Sequence, residues 1–560
     1  MEEEDGTPQT TAEIANIEPD TVPSTKDDAV EVKDVASDDA ESIDPCRIQV
    51  KNIPKFLGHK AFRQLLEKTL SADSIGKIRL MQDTAYVNLT TAEKAQEAIL
   101  KLEGMELKKF VLQCIQAPPE PRKGRDLPTL ETARVKSARE SVTPLADMSY
   151  EDQLKMKNKE CLKLAKRLLN EFYAAKVEGM KNVSPHSLLN PIVPFPDSSS
   201  IYRNKCEFTI GKDLEGNTRV GFVGGRFARN EHYVLPIDDC PNLSPQTKAI
   251  VNEFTSFVEE SGRSPFNEFT REGTWKMLTV REMSGDLLLM VTVFPFEDPE
   301  EEKKQMNAII KRFHGMDTMD RGFRISSLYW QRQANASDEP IREHIAGSPY
   351  IFETLLGVRF RVSPDAFFQT NSAAATVLYE TIGKLCQLEG DKTELPHSSQ
   401  PIVNDEEENV GEERASRTCC IGVELIESAV EDAKANARDN GIRENLCSYV
   451  AGKAEDTFRN LWRFVPKGFS LDSCYVVGIL DPPRRGIHHK VVVGCRELPS
   501  LKRLLFVSCD PSAAMKNLTD LCRPRSNKFS GNAFTIEKIT PVDMFPMTEH
   551  FEWVVTLIRQ

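Results

Sequence analysis

Val476-Val477-Gly478-Ile479-Leu480-Asp481-Pro482-Pro483-Arg484 and Leu504-Leu505-Phe506-Val507-Ser508-Cys509-Asp510-Pro511 are two apolar runs, each closed by polar residues and proline. Short apolar runs bounded by turn residues read as strands buried on both faces, the kind found in parallel sheets with helices above and below. In such a doubly wound sheet ligands bind off the carboxyl ends of the strands. Asp481 and Cys509 therefore fall where a ligand is held. Working outward, Ile421–Leu425, Ser448–Ala451 and Glu552–Ile558 read as further strands and Ala429–Asn440 as a helix. Gly422-Val423-Glu424 ends its strand in an acid, the residue type that holds ribose hydroxyls in nucleotide-binding folds. Each feature also has an ordinary explanation: a loop for Asp-Pro-Pro, an inert side chain for the cysteine, a helix cap for the glutamate.

The α/β segment is expected to span residues 346–560, with a disordered insert at 391–418. Before it, residues 149–345 alternate short strands with helices, an α+β region. A long amphipathic helix starts there at Ser149, with Leu154, Cys161, Ala165, Leu168 and Phe172 on one face. Its other face carries Lys155, Lys157, Lys159, Lys163, Lys166 and Arg167. Residues 118–148 form a basic linker containing Arg122, Lys123, Arg125, Arg134, Lys136 and Arg139. Residues 46–117 run strand, helix, strand, strand, helix, strand, with the third strand at Thr84–Leu89 and the last at Phe110–Ile115. That order (βαββαβ) resembles an RNA recognition motif, a family that stacks bases on sheet aromatics. Here the first-strand position holds Gln49, and the third strand offers Thr84 and Tyr86, so Tyr86 is the one remaining RNA-binding candidate. A module used for protein contact or as a spacer fits the same pattern.

The chain has 560 residues and a formal charge of −13, which at first disfavours a nucleic-acid partner. Residues 1–45 hold 15 Asp/Glu and 2 Lys/Arg, leaving 70 of each sign for the remainder. The acidity thus belongs to a tail too polar to offset its own ordering entropy and expected to be disordered. An acidic start and the lack of a basic-then-apolar leader argue against targeting segments, and the run Leu287–Phe294 is too short to cross a bilayer. An intracellular protein, in cytosol or nucleus, with no membrane partner, is the expectation. The 13 cysteines show no metal-ligand spacing, so no metal is expected and thiols are read as reduced. Adjacent Cys419 and Cys420 read as two buried small side chains.

Six motifs occur in order from Tyr202 to the C-terminal region: Tyr202-Arg203-Asn204-Lys205, Phe367-Phe368-Gln369-Thr370-Asn371, Gly422-Val423-Glu424, Asp481-Pro482-Pro483-Arg484, Ser508-Cys509-Asp510-Pro511 and Met544-Phe545-Pro546-Met547-Thr548-Glu549-His550-Phe551-Glu552. As a set they resemble the RNA (uracil-5-)-methyltransferase family. The resemblance implies a Rossmann-like methyltransferase domain using S-adenosyl-L-methionine, and a uridine in the tRNA T-loop as substrate. It implies Cys509 as the nucleophile that adds to uracil C6 and Glu552 as the acceptor of the C5 proton. It places Gln369, Glu424 and Asp481 as cofactor contacts, with Asp456 a further one toward the adenine, and Arg203 among the RNA contacts.

Two departures from the family pattern carry expectations of their own. The family opens its cofactor domain with a strand, a Gly-rich loop and a helix, and between Leu388 and Gly422 this chain has only Gly390 and Gly411. No G-x-G, apolar strand or amphipathic helix stands there, so weak or absent cofactor binding is expected, and a catalytically impaired RNA-binding or RNA-folding-helper protein is the alternative function. The second departure is Asp510, where the family commonly has Asn. A negative charge beside Cys509 should raise the thiol's pKa.

Overall fold

The computed structural model describes residues 46–54, 57–71, 74–81, 83–107, 110–117, 135–196, 200–225, 232–315, 321–335, 337–388, 418–472 and 474–559. The acidic tail, the basic linker up to Arg134, Gly390, Gly411 and the acidic insert up to 417 lie outside them.

The chain divides into two units, 1–133 and 134–560. In the first, the sheet runs in the order Ile75–Leu80, Ala85–Leu89, Arg47–Lys51, Gln113–Gln116, all antiparallel. Helices His59–Thr69 and Ala92–Leu102 complete the order expected of the RNA recognition motif. Alternation decides the faces: Ile48, Val50, Ala85 and Val87 are buried against Phe62, Leu66, Ala95 and Leu102, which leaves Gln49 and Tyr86 on the other face. Thr84 precedes its strand. The expected last strand divides, because Phe110–Val111 forms a hairpin with Glu106–Leu107 and only Gln113–Gln116 joins the main sheet.

The second unit contains a mixed seven-stranded sheet. Its strands are ordered Ile341–Gly347, Ser327–Arg332, Asp286–Val293, Trp275–Met283, Lys205–Lys212, Thr218–Gly224 and Tyr233–Leu235. The single parallel pairing, Asp286–Val293 with Ser327–Arg332, is bridged by helix Pro299–Ile309, as a parallel crossover requires. Helix Pro245–Glu260 covers one face with Ile250, Phe254 and Val258 against Trp275 and Trp330.

Helix Tyr150–Ala174, assigned from sequence to the start of the central region, packs instead on the C-terminal sheet. Cys161, Ala165, Leu168 and Phe172 share a core with Val491, Leu504, Leu518 and Trp553. Lys157 is corrected with it. It stands one helical turn from buried Gln153 and from buried Cys161, on the inward stripe. Its ammonium is fully buried, 2.6 Å from Oδ1 of equally buried Asp543, and donates also to the Phe545 carbonyl at 2.9 Å. The Tyr150 hydroxyl donates to Asp543 Oδ2 at 3.0 Å. Burial pulls the Lys157 ammonium below its ordinary pKa, with Asp543 opposing. Removing one partner of such a pair strands the other charge, so Lys157→Met should cost about 3–5 kcal/mol in urea unfolding, and adding Asp543→Leu should recover most of it. A loss under about 1 kcal/mol for the single variant would show that the pair is not what holds this helix to the sheet.

The C-terminal α/β organisation is present in two pieces. One sheet runs Val476–Leu480, Leu501–Ser508, Glu552–Ile558, Thr535–Val542, parallel at the first pairing and antiparallel thereafter. The other is the parallel pair Cys420–Glu424 and Cys447–Ala451, with helix Glu427–Asp439 against it. Among the described residues no strand joins them. Along the break apolar side chains stand open: Val423 is 37% exposed, Leu425 63% and Ile479 52%. Cys420 is exposed and Cys419 half-buried, contrary to the reading of both as core, because among the described residues the strand that carries Cys420 has a neighbour on one side only.

Candidate active site

Register builds the site. Ser508 pairs with Trp553 across antiparallel strands, so Cys509, just beyond one strand, and Glu552, first in the next, share one end of the sheet. Leu480 pairs with Phe506 in the parallel neighbour, which brings Asp481 to the same edge. Three residues distant in sequence thus meet at the carboxyl ends of Val476–Leu480 and Leu501–Ser508; the two apolar runs pointed to Asp481 and Cys509 there, and the family motifs to Glu552.

Cys509 is half-buried just before helix Pro511–Cys522. Burial pushes its thiol up, Glu552 and more weakly Asp481 add to this, and the nearby Arg484 guanidinium works in the opposite direction. Asp510 is not among these influences. Its carboxylate caps the helix, accepting from Ala513 N at 3.1 Å; the thiol is raised, as expected from a neighbouring negative charge, but by burial, Glu552 and Asp481 foremost. Arg484 was quoted in the sequence as the last residue of the Asp481–Arg484 motif, without a role of its own.

Glu552 is buried, and desolvation with the nearby Asp481 pushes its carboxyl up to about 8. Asp481 is open on one side, yet the protein packed around it raises its carboxyl by desolvation. An unfolded glutamate ionises near 4.5 and the folded one near 8. Wild-type stability is therefore intact below the lower value and falls as pH rises toward the upper one. Glu552→Gln, neutral throughout, should match the wild type in thermal midpoint near pH 4 and exceed it by several degrees near pH 9, where the wild type has lost a few kcal/mol. Equal midpoints near pH 9 would contradict the raised carboxyl.

The loop leading to Glu552 is fixed from several directions. Asn371 Nδ2 donates to the Met544 carbonyl at 3.0 Å, and the Tyr202 hydroxyl donates to the Pro546 carbonyl at 2.9 Å. Met547, in a left-handed conformation at φ 63°, donates its N–H to buried Gln153 Oε1 at 2.7 Å. Asn204 Nδ2 donates to the Gln369 carbonyl at 3.0 Å and to Ser372 Oγ at 2.8 Å. The Tyr202–Lys205 and Phe367–Asn371 motifs are thus mutually docked, and both hold the Met544–Glu552 loop. Glu549 is exposed, outside the cluster.

The remaining sequence candidates divide. Gln369 is buried, and its carbonyl accepts from Asn204 Nδ2. Glu424 lies on the separate strand pair, exposed, with Oε1 accepting from Ile426 N at 2.9 Å. Asp456 is exposed, 3.4 Å from Lys490 Nζ. Arg203 donates from Nε to the Lys205 carbonyl at 3.1 Å. In the N-terminal unit the Tyr86 hydroxyl accepts from Gln49 Nε2 at 3.0 Å, and the Arg47 guanidinium lies 4.8 Å from the ring centroid. Among the described residues no cluster of ligating side chains fits a metal ion, and no helix is long and apolar enough to cross a membrane.

A thiol and an acid at the carboxyl ends of two parallel strands, with a buried carboxyl at the start of the antiparallel neighbour, define an α/β protein equipped for covalent chemistry on a ligand. Residues 416–560 match the family model described as tRNA (Uracil-5-)-methyltransferase. The chain is 32% identical over 542 residues to tRNA (uracil-5-)-methyltransferase homolog A of Mus musculus, covering 93% of this chain and 86% of that one. It is 31% identical over 463 residues to homolog B of Homo sapiens, covering 80% and 88%. The crystal structure of Pyrococcus abyssi tRNA (uracil-54, C5)-methyltransferase in complex with S-adenosyl-L-homocysteine is similar over 81% of this chain and 90% of that one, at 19% identity and a TM-score of 0.49. The chain belongs to the tRNA (uracil-5-)-methyltransferase family.

Proposed function

We propose that the site acts on a uridine in the T-loop of tRNA, with Cys509 as nucleophile and Glu552 as proton acceptor, in the family's S-adenosyl-L-methionine-dependent formation of 5-methyluridine. The observation that carries this reading is the pairing of the Cys509 thiol with a buried carboxyl whose pKa is about 8. Uracil C5 is a poor nucleophile until something adds at C6. The Cys509 thiolate forms the S–C6 bond, and the C5=C6 pair moves into the enolate. With its raised pKa Glu552 can give a proton to C5 and take one back, after which the C6–S bond breaks and the thiolate is restored. The base must leave its stack to reach Cys509. Arg203, and Tyr86 in the N-terminal unit, are proposed as RNA contacts.

The same chemistry is testable without a methyl donor. Incubated in heavy water with tRNA, the chain should replace hydrogen by deuterium at C5 of the target uridine, read by mass spectrometry of the nucleosides. A target uridine that gains no deuterium would exclude the reading.

The residues present fit the methyl donor only in part. Gln369 and Asp481 stand at the Cys509 end, whereas Glu424 and Asp456 stand with the separate strand pair. A second reading is favoured by the open edges at Val423 and Ile479: an RNA-binding or RNA-folding-helper protein that engages the base and is impaired in methyl transfer.

A further inference from the structure

Glu353 stands on strand Ile351–Leu355 between buried Ile351 and buried Leu355, on the face turned inward. Alternation calls for an apolar side chain there, yet the position holds an acid that is 5% exposed. A buried carboxylate is tolerated where donors surround it. The hydroxyls of Ser284 and Ser372 both donate to Glu353, one to each oxygen, and Thr354 N donates to its Oε1 at 2.9 Å.

Ser372 carries the arrangement toward the site. Its one proton goes to Glu353, so its oxygen accepts, and Asn204 Nδ2 donates to it at 2.8 Å. The same Nδ2 donates to the Gln369 carbonyl at 3.0 Å, and Asn204 N donates to the Thr370 carbonyl at 2.9 Å. The order of donors and acceptors therefore runs one way, from Asn204 through Ser372 to Glu353, and the acid at its end keeps the amide nitrogen facing Gln369. Asn204 Oδ1 is buried with no donor among the described residues, so nothing on its own side turns the amide. Asn371, inside the segment so held, donates from Nδ2 to the Met544 carbonyl, in the loop that leads to Glu552.

We propose that Glu353 is a positioning residue, which acts through the Ser372 hydroxyl to orient Asn204 and thereby holds residues 369–372 against the loop that leads to Glu552. This rests on the reading of Cys509 and Glu552 given above. Misplacing a reacting group by about 1 Å costs about 10²-fold in rate, so a brace on the segment that docks this loop bears on the chemistry more than on the grip on RNA. The direction of the hydrogen bonds, and not the mere presence of polar groups, is what does the positioning.

The test is C5 deuterium exchange by the full chain at saturating tRNA, expressed per tRNA-binding site. Asn204→Asp keeps the shape of the amide but has no donor for Ser372 or Gln369, and it leaves two acids to share one hydroxyl proton. It should slow exchange about 10²-fold, with the tRNA concentration for half-maximal rate within about twofold of the wild type. Adding Glu353→Gln supplies a donor from the other side: the new amide donates to Ser372 Oγ, whose proton turns to the introduced carboxylate, and the chain of bonds runs in reverse. The double variant should exchange at least about tenfold faster than Asn204→Asp, although Glu353→Gln alone slows the wild type. A merely structural role predicts losses that multiply, which would overturn the proposal, as would undiminished exchange by Asn204→Asp. Should Asn204→Asp fail to fold, Ser372→Ala cuts the chain of bonds at its centre. It should slow exchange, and Glu353→Gln added to it should change the rate by less than about twofold; undiminished exchange or a larger further loss would overturn the proposal. If the unaltered chain exchanges nothing, the reading of Cys509 and Glu552 falls and this one with it, a result distinct from normal exchange in which the two losses multiply.

Discussion

Cys509→Ala should reduce C5 deuterium exchange on tRNA by about 10⁴-fold or more, to the uncatalysed background, because nothing else in the site can form the bond to C6. Arg484 and Glu552 stay in place, but neither a guanidinium nor a buried carboxyl is a nucleophile for this carbon. The substitution is structurally mild. The thiol is half-buried just before a helix, and the helix cap is supplied by Asp510 rather than by the cysteine. The nearby turn bond, Asp510 N to Ser508 Oγ at 3.2 Å, does not involve it either. Thermal midpoint and tRNA affinity should therefore match those of the wild type, which separates lost chemistry from lost fold. Cys509→Ser should be nearly as inactive, because an alcohol is far less ionised than a thiol at the same pH. Exchange that persisted in the alanine variant would remove Cys509 from the mechanism altogether.

What was legible in the sequence follows from how locally each feature is encoded. Val476–Leu480 and Glu552–Ile558 are apolar runs with polar punctuation, and both stand as strands at the bounds read from the chain. The meeting of Cys509 and Glu552 was legible only through family motifs, since strand order is a long-range property. Thr535–Val542 was missed because Glu537 and Lys538 interrupt its alternation and Pro541 argues against a central strand; it occupies the sheet edge, where proline is tolerated. Lys157 was assigned to the solvated face by its charge, although its spacing from Gln153 and Cys161 marks the buried stripe. Its partner Asp543 lies 386 residues away, and no local pattern announces that pairing.

Titration with S-adenosyl-L-methionine or S-adenosyl-L-homocysteine should give no saturable heat below about 1 mM, and the thermal midpoint of the chain should not move at that concentration. The argument begins from the sheet. Parallel strands are stable when paired on both edges and covered on both faces, and a doubly wound fold holds its ligand in the crevice where strand order reverses. Among the described residues Cys420–Glu424 and Val476–Leu480 each have one neighbour, and Val423, Leu425 and Ile479 are left exposed. The sequence between Leu388 and Gly422 offers no glycine-rich turn to bring backbone N–H groups to a ligand. Glu424, the residue expected on a ribose, accepts a hydrogen bond from the backbone two residues on, beyond the open edge from Asp481. A donor gripped only by Gln369 and Asp481 lacks the adenosine contacts that would supply most of its affinity. The size of the alternative makes the measurement decisive. A dissociation constant near 10 μM would stabilise the folded chain by about 2.7 kcal/mol at a hundredfold excess of ligand, a rise of several degrees in thermal midpoint. Such a rise would show that the two sheet pieces close around the donor although no described strand joins them, and the methyltransferase reading would then hold for this chain in full. Its absence, together with C5 exchange that depends on Cys509, would leave a protein that activates the uracil and has no methyl group to give it.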